Sequence, residues 1–223
     1  MSTPSGTSLM TTAPYSGLTP EQAGLAAEYR GAMSGGANPY VLPSDLPVPV
    51  DDGAADHLTG ATIPELSLSS TSDRPVDLAT AARGTLVLYL YPRTGRPDEE
   101  LPEGWDDIPG ARGCTPQSCA FRDHFAELRS LGADVLGLSA QRLADQVEFA
   151  QRVGLPYPIL SDPELALAEA LRLPTFEVAG MRLYRRVTLI ARKGRIDKVF
   201  YPVFPPDRNA ADVVAWLAGS DSA

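Results

Sequence analysis

Thr85-Leu86-Val87-Leu88-Tyr89-Leu90-Tyr91 is the stretch whose reading decides the fold. It is continuous, β-prone and free of Gly and Pro, which predicts a strand covered on both faces. Working outward, Thr115-Pro116 reads as the N-cap and first position of a helix. Phe121, Phe125 and Leu128 recur along it at helical spacing, and Gly132 closes it. Val135-Leu136-Gly137-Leu138 is a second buried strand. Leu143, Val147 and Ala150 mark a helix ending at Gly154, and Asp162-Pro163 caps another that runs through Leu167 and Leu171. Arg186 to Ala191 and Arg195 to Tyr201 form strands joined by the turn Lys193-Gly194. A last helix carries Val213, Val214, Trp216 and Leu217. Strand, helix, strand, helices, hairpin, helix is an α/β layer sandwich with a mixed sheet.

The rest of the chain narrows the function classes. With 223 residues, 43% hydrophobic and 21% charged, it has an ordinary globular composition, enough for one sizeable domain and an appendage. No apolar run approaches the ~20 residues of a membrane helix. A net charge of −9 argues against a nucleic-acid partner, whose phosphates select a basic face. Residues 1–57 read as an acidic, Pro-rich extension ahead of a domain spanning 58–223. Within the extension, Thr19-Pro20-Glu21-Gln22 starts one short helix, and Pro43, Pro47 and Pro49 favour extended chain. This arm is either a solvated extension or a dimer arm. The first 20 residues hold no Lys or Arg and no signal-length apolar core, so a cytoplasmic, thiol-reducing location is expected.

Only two cysteines occur, Cys114 and Cys119. Two cannot staple a chain this long, and a close pair in a reducing compartment is more often redox-active or metal-binding than structural. Cys114 directly precedes the predicted helix start, where free backbone N–H groups and the helix dipole favour a thiolate. Cys119 is one turn further in, followed by Ala120-Phe121, and is expected to be the more buried. The asymmetry casts Cys114 as the attacking thiol and Cys119 as the resolving one. On a regular helix their Cα atoms are about 8–9 Å apart, beyond the roughly 4.4–6.8 Å of a disulfide. Such a pair bonds only by moving. His57 and His124 lack paired-ligand spacing, so neither a metal nor another cofactor is expected.

Tyr89-Leu90-Tyr91-Pro92, followed by Gly113-Cys114-Thr115-Pro116-Gln117-Ser118-Cys119-Ala120-Phe121-Arg122-Asp123, resembles the active-site segment of peroxiredoxins. The likeness is greatest to the bacterioferritin-comigratory, or Q-type, subfamily. Arg186-Val187-Thr188-Leu189-Ile190 matches the family's later Arg-x-Ser/Thr motif. The resemblance runs from about Leu58 to Leu217 and implies a thioredoxin-like sandwich, a mixed central sheet flanked by helices. It also implies a thiol-dependent peroxidase acting on hydrogen peroxide and organic hydroperoxides. Cys114 would form the sulfenic acid, Arg186 would stabilise the thiolate and the developing charge, and Cys119 would close an intramolecular disulfide. Thioredoxin or a similar dithiol would recycle it. An intramolecular resolving cysteine favours a monomer, though a dimer is compatible.

One departure stands out. The family places Pro seven and Thr three residues before the attacking Cys, positions held here by Asp107 and Ala111. Pro92 lies 22 residues upstream, so 15 residues are inserted, giving a loop at about 94–112. The insertion carries Asp98, Glu99, Glu100, Glu103, Asp106 and Asp107 with Trp105, and reads as a solvated loop or an acidic lid. Either Thr94 folds back to restore the missing hydroxyl near Cys114, or that role is lost. The remaining alternatives are a thiol–disulfide oxidoreductase, which the absence of Cys-x-x-Cys disfavours, and a non-catalytic redox sensor or binding module.

Overall fold

Strand β3 (Thr85–Leu90) is an interior strand of a seven-stranded mixed sheet, and its continuous apolar run follows from covering both faces. Leu86, Leu88 and Leu90 enter one hydrophobic core, while Val87, Tyr89 and Tyr91 enter the other. That is the two-residue alternation of a pleated strand, with both sides apolar. The computed structural model describes residues 42–97 and 99–220. The short helix read from Thr19, the first part of the extension, and Asp98 lie outside the described residues.

Chain order introduces β1 (Ser67–Ser70), β2 (Val76–Asp77), α1 (Leu78–Ala81) and then β3. Helices α2 (Cys114–Asp123) and α3 (Phe125–Ser130) lead to β4 (Ala133–Ser139), α4 (Leu143–Val153), β5 (Ile159–Ser161) and α5 (Ala166–Leu171). A separate hairpin, β6 (Thr175–Val178) and β7 (Met181–Tyr184), precedes β8 (Val187–Arg192), β9 (Arg195–Phe200) and α6 (Asn209–Ser220). The sheet order is β2-β1-β5-β4-β3-β8-β9. β3 pairs parallel with β4 and antiparallel with β8. The mixed α/β sandwich expected from the sequence is present.

Several local readings match their physical causes. Lys193 and Gly194 both take positive φ, 51° and 79°, in the two-residue β8–β9 turn. Gly154 ends α4 in the left-handed conformation. The Asp162 carboxylate accepts from the Ala166 and Leu167 N–H groups and from the Tyr184 hydroxyl, which fixes the start of α5. Two readings are corrected. The helix drawn from Thr115 to Gly132 is interrupted at His124, whose φ and ψ of −93° and 4° are not helical. Its start also lies earlier: Gly113 is the N-cap, Cys114 the first helical residue, and Thr115 and Pro116 fall inside the first turn. Pro116 is tolerated there because first-turn N–H groups have no intrahelical acceptor.

Candidate active site

Gly113 creates the site's backbone. Its φ is 100°, and a Cβ there would lie 2.3 Å from Pro206 Cγ and 2.7 Å from Leu42 Cδ2. Only glycine fits, so the loop turns sharply into α2 and Gln117 N–H makes the first i→i−4 bond, 3.0 Å to the Gly113 carbonyl. Cys114 is thereby held at the inner end of the helix, 3% exposed.

Arg186 stands just before β8, the strand paired antiparallel to β3, which brings it to Cys114 across 72 residues of sequence. Its Nη2 donates to Cys114 Sγ at 3.3 Å and to the Arg112 carbonyl at 3.0 Å, with the Gly110 and Ala111 carbonyls at 3.3 Å. Its Nη1 donates to Gln117 Oε1. The guanidinium is 3% exposed, and its Nε has no hydrogen-bond partner among the described residues. A buried donor left open costs free energy unless something accepts from it, so this nitrogen marks where an oxygen atom fits. Neighbouring Arg185 points outward: 40% of its side chain is exposed, with the Asp52 carboxylate 4.0 Å away.

The sulfur has two polar neighbours among the described residues, Arg186 Nη2 and the Ala111 carbonyl at 3.6 Å. Thr94 is not one of them. Its hydroxyl and its N–H both donate to Gln141 Oε1, at 3.0 and 2.8 Å, which ties the root of the insertion to the corner after β4. The hydroxyl expected near Cys114 is therefore committed elsewhere. The insertion itself is anchored: Trp105 is buried with Ala111 and Leu183, and its ring lies 6.2 Å from that of Phe176 in the β6–β7 hairpin. Its described acidic side chains face solvent, and Asp106 pairs with the buried Arg112 at 3.2 Å.

Residues 42–50 run along this side of the domain. Pro49 lies beside Gly110, and Asp52 accepts from the Tyr201 hydroxyl at 2.9 Å. Pro49, Pro109, Phe176, Tyr201 and Val203 wall a shallow cleft that reaches Arg186. The Asp52 contact and burial together push the Tyr201 phenol up to about 12, burial contributing more.

Cys119 occupies the same helix but different surroundings. It is only partly buried, so the expectation that it is the more buried thiol is overturned; Cys114 sits under the Gly113 loop, whereas Cys119 lies nearer the surface beside Arg122 and Arg152. Desolvation still pushes its thiol above the ordinary value, opposed by Arg122 and Arg152. Arg122 also donates to the Val153 carbonyl at 2.7 Å, which pins α2 to the end of α4. The two cysteines are not bonded.

Sequence reasoning quoted Gln117 and Thr188 within motifs but gave them no role, and it missed Asn209 altogether. Gln117 Nε2 donates to Asn209 Oδ1 at 2.9 Å, and Thr188 Oγ1 donates to the same oxygen at 2.7 Å. Gln117 was within reach of inference, because three residues after Cys114 shares its helix face. Asn209, 92 residues from Gln117, gave no local signal.

The Redoxin family profile matches residues 58–215. Peroxiredoxin Q of Sedum lineare is 26% identical over 196 residues, covering 88% of this chain and 96% of that protein. Peroxiredoxin Q of Arabidopsis thaliana is 27% identical over 158 residues, 71% of this chain and 66% of that one. Among solved structures, the peroxidoxin BcpB of Mycobacterium tuberculosis superposes with a TM-score of 0.60 at 25% identity, over 72% of this chain and 96% of its own. The chain belongs to the Redoxin family, and among its peroxiredoxin relatives it is a thiol-dependent peroxidase.

Proposed function

We propose that Cys114 reduces hydrogen peroxide and organic hydroperoxides, with Arg186 as its electrostatic partner and Cys119 as the resolving thiol. The observation that carries this reading is the buried guanidinium 3.3 Å from Cys114 Sγ with one donor left open. The Cys114 thiolate attacks the distal peroxide oxygen, the O–O bond breaks, and the leaving oxygen departs as water or an alcohol after taking a proton. Arg186 stabilises charge on the sulfur and on the departing oxygen. Cys119 then displaces the sulfenic hydroxyl as water, forming the disulfide. A dithiol such as thioredoxin restores both thiols and leaves with its own disulfide. Because both cysteines are in one chain, the cycle needs no second copy, and a monomer in a reducing compartment such as the cytoplasm suffices. The apolar cleft beside Arg186 suits hydroperoxides with a compact apolar substituent.

Stopped-flow thiol oxidation with hydrogen peroxide and an organic hydroperoxide tests this. Both are expected to react orders of magnitude faster than a free thiol. Cys119→Ser should accumulate sulfenic acid at Cys114, and Cys114→Ser should consume no peroxide. Oxidation at a free thiol's rate, or turnover surviving Cys114→Ser, overturns the reading.

A further inference from the structure

A bond between Cys114 and Cys119 cannot close while α2 is intact. Both lie in the uninterrupted segment Cys114–Asp123, where a helix keeps residues five apart about 8–9 Å between Cα atoms. The ease of unwinding this segment therefore enters the rate of the resolving step.

Ser118, the residue directly before Cys119, is where the segment is held. The Tyr157 hydroxyl donates to the Ser118 carbonyl at 2.9 Å, and the Tyr89 hydroxyl bonds Ser118 Oγ at 3.1 Å. The two phenols are themselves 3.1 Å apart. Tyr89 gives its proton to Ser118 Oγ and Tyr157 gives its own to the Ser118 carbonyl, so both phenols act on Ser118. Ser118, Tyr89 and Tyr157 are all buried, and burial raises both phenols so that they stay protonated donors. The pocket is built for them. A Cβ on Gly137 of β4 would lie 2.7 Å from the Tyr89 oxygen, and the Tyr89 ring stacks on Phe121 of α2 at 4.4 Å.

We infer that Tyr89 and Tyr157 are positioning residues for the resolving step. Their hydroxyls hold Ser118 in the helix, and release of this clamp sets the rate of disulfide closure. The inference rests on the two-cysteine reading above. While the clamp holds, Cys114 persists as sulfenic acid, and a second peroxide can oxidise it to the sulfinic acid, with O–O cleavage and loss of water or alcohol. Once the clamp opens, the Cys119 sulfur bonds to the Cys114 sulfur, the S–O bond breaks, and the hydroxyl leaves as water with the Cys119 proton.

Tyr157→Phe and Tyr89→Phe keep the rings and remove one hydroxyl each. In stopped flow with hydrogen peroxide, the first phase, sulfenic acid formation, should match the parent. The second phase, disulfide closure, should run about fivefold faster, as loss of one buried hydrogen bond implies. The sulfinic fraction at high peroxide should fall accordingly. Hydrogen exchange of the reduced proteins provides a readout without turnover: the amides of Gln117, Ser118 and Cys119 should lose protection while those of β3 and β8 keep theirs. Closure at the parent rate or slower, or unchanged protection of these three amides, overturns the clamp. If oxidised parent protein contains no Cys114–Cys119 bond by peptide mapping, the two-cysteine reading fails and takes the clamp with it. A bond formed at equal rates in parent and variants overturns the clamp alone.

Discussion

Cys114 and Cys119 share one helix and one element type, yet the molecule treats them as opposites. Around Cys114 the chain gathers groups from far away: Gly113 and Pro206 shape the turn, Arg186 reaches the sulfur, and Gln117, Asn209 and Thr188 brace Arg186 from behind. Around Cys119 the polar neighbours are local or peripheral, chiefly Arg122 and Asp123 of its own helix and Arg152 of α4. The difference fits the roles proposed for the two thiols. A thiol that attacks a peroxide gains from fixed donors aimed at developing charge. A thiol that must leave its place to form a bond gains from having few such ties, with its restraint set one residue away at Ser118.

The sharpest way to break the comparison is to remove its central group. Arg186→Ala deletes the donor to Cys114 Sγ and leaves the surroundings of Cys119 untouched. Sulfenic acid formation should slow by about two to three orders of magnitude, the usual cost of one preorganised donor. Alkylation of Cys119, measured in the Cys114→Ser background with and without Arg186→Ala, should keep its rate. Parallel losses at both cysteines would mean that Arg186 acts through the fold rather than at the sulfur.

A smaller effect tests whether the bracing behind Arg186 matters. Asn209 is the first residue of α6, and its Oδ1 accepts from both Gln117 and Thr188. Asn209→Ala leaves Gln117 Nε2 and Thr188 Oγ1, both buried, without that acceptor, a cost of about 1–3 kcal/mol for each group left unpaired. Gln117 then holds Arg186 less firmly. Sulfenic acid formation should slow by about tenfold, with disulfide closure unchanged in the same traces. Equal slowing of both phases would mark a general loss of packing.

These two sites also show what a sequence makes legible. The core strand, the Lys193-Gly194 turn and the Gly154 stop are determined by residues within a few positions of each other, and all three are found where the pattern places them. The Asp162 carboxylate does hold the first N–H groups of α5, but the helix begins at Ala166 rather than at Pro163. Strands β1, β2, β5, β6 and β7 escaped, being two to four residues long and, in β1, mostly Ser. Cys114 and Arg186 were paired in the sequence only by the family resemblance of their two motifs, and their side chains lie 3.3 Å apart. Asn209, Tyr157 and the anchoring of Trp105 on Phe176 were not legible, because each is defined by a contact made only after the sheet has assembled. The burial order of the two thiols failed for the same reason. Helix position says which face a residue takes, and the partner elements decide how deeply that face is covered.

The smallest expected effect concerns Cys119 alone, and pH exposes it. Burial disfavours its thiolate more than Arg122 and Arg152 favour it, so the folded thiol titrates above the ordinary value. In Cys114→Ser, where Cys119 is the sole thiol, iodoacetamide alkylation should reach half its maximal rate at a pH above that of a free cysteine, about 8.5. The sign of the stability effect follows. Above the unfolded thiol's pKa the unfolded chain releases its proton first, so it binds fewer protons than the native state and stability falls as pH rises. Urea midpoints of Cys114→Ser should therefore decline between pH 7 and 10 more steeply than those of Cys114→Ser/Cys119→Ser. The serine substitution shifts the offset between the two curves, but only the ionising thiol changes their slope. Equal slopes, or alkylation centred at or below the free-thiol value, would remove Cys119 from its buried setting. The contrast between the two cysteines would then rest on Arg186 alone.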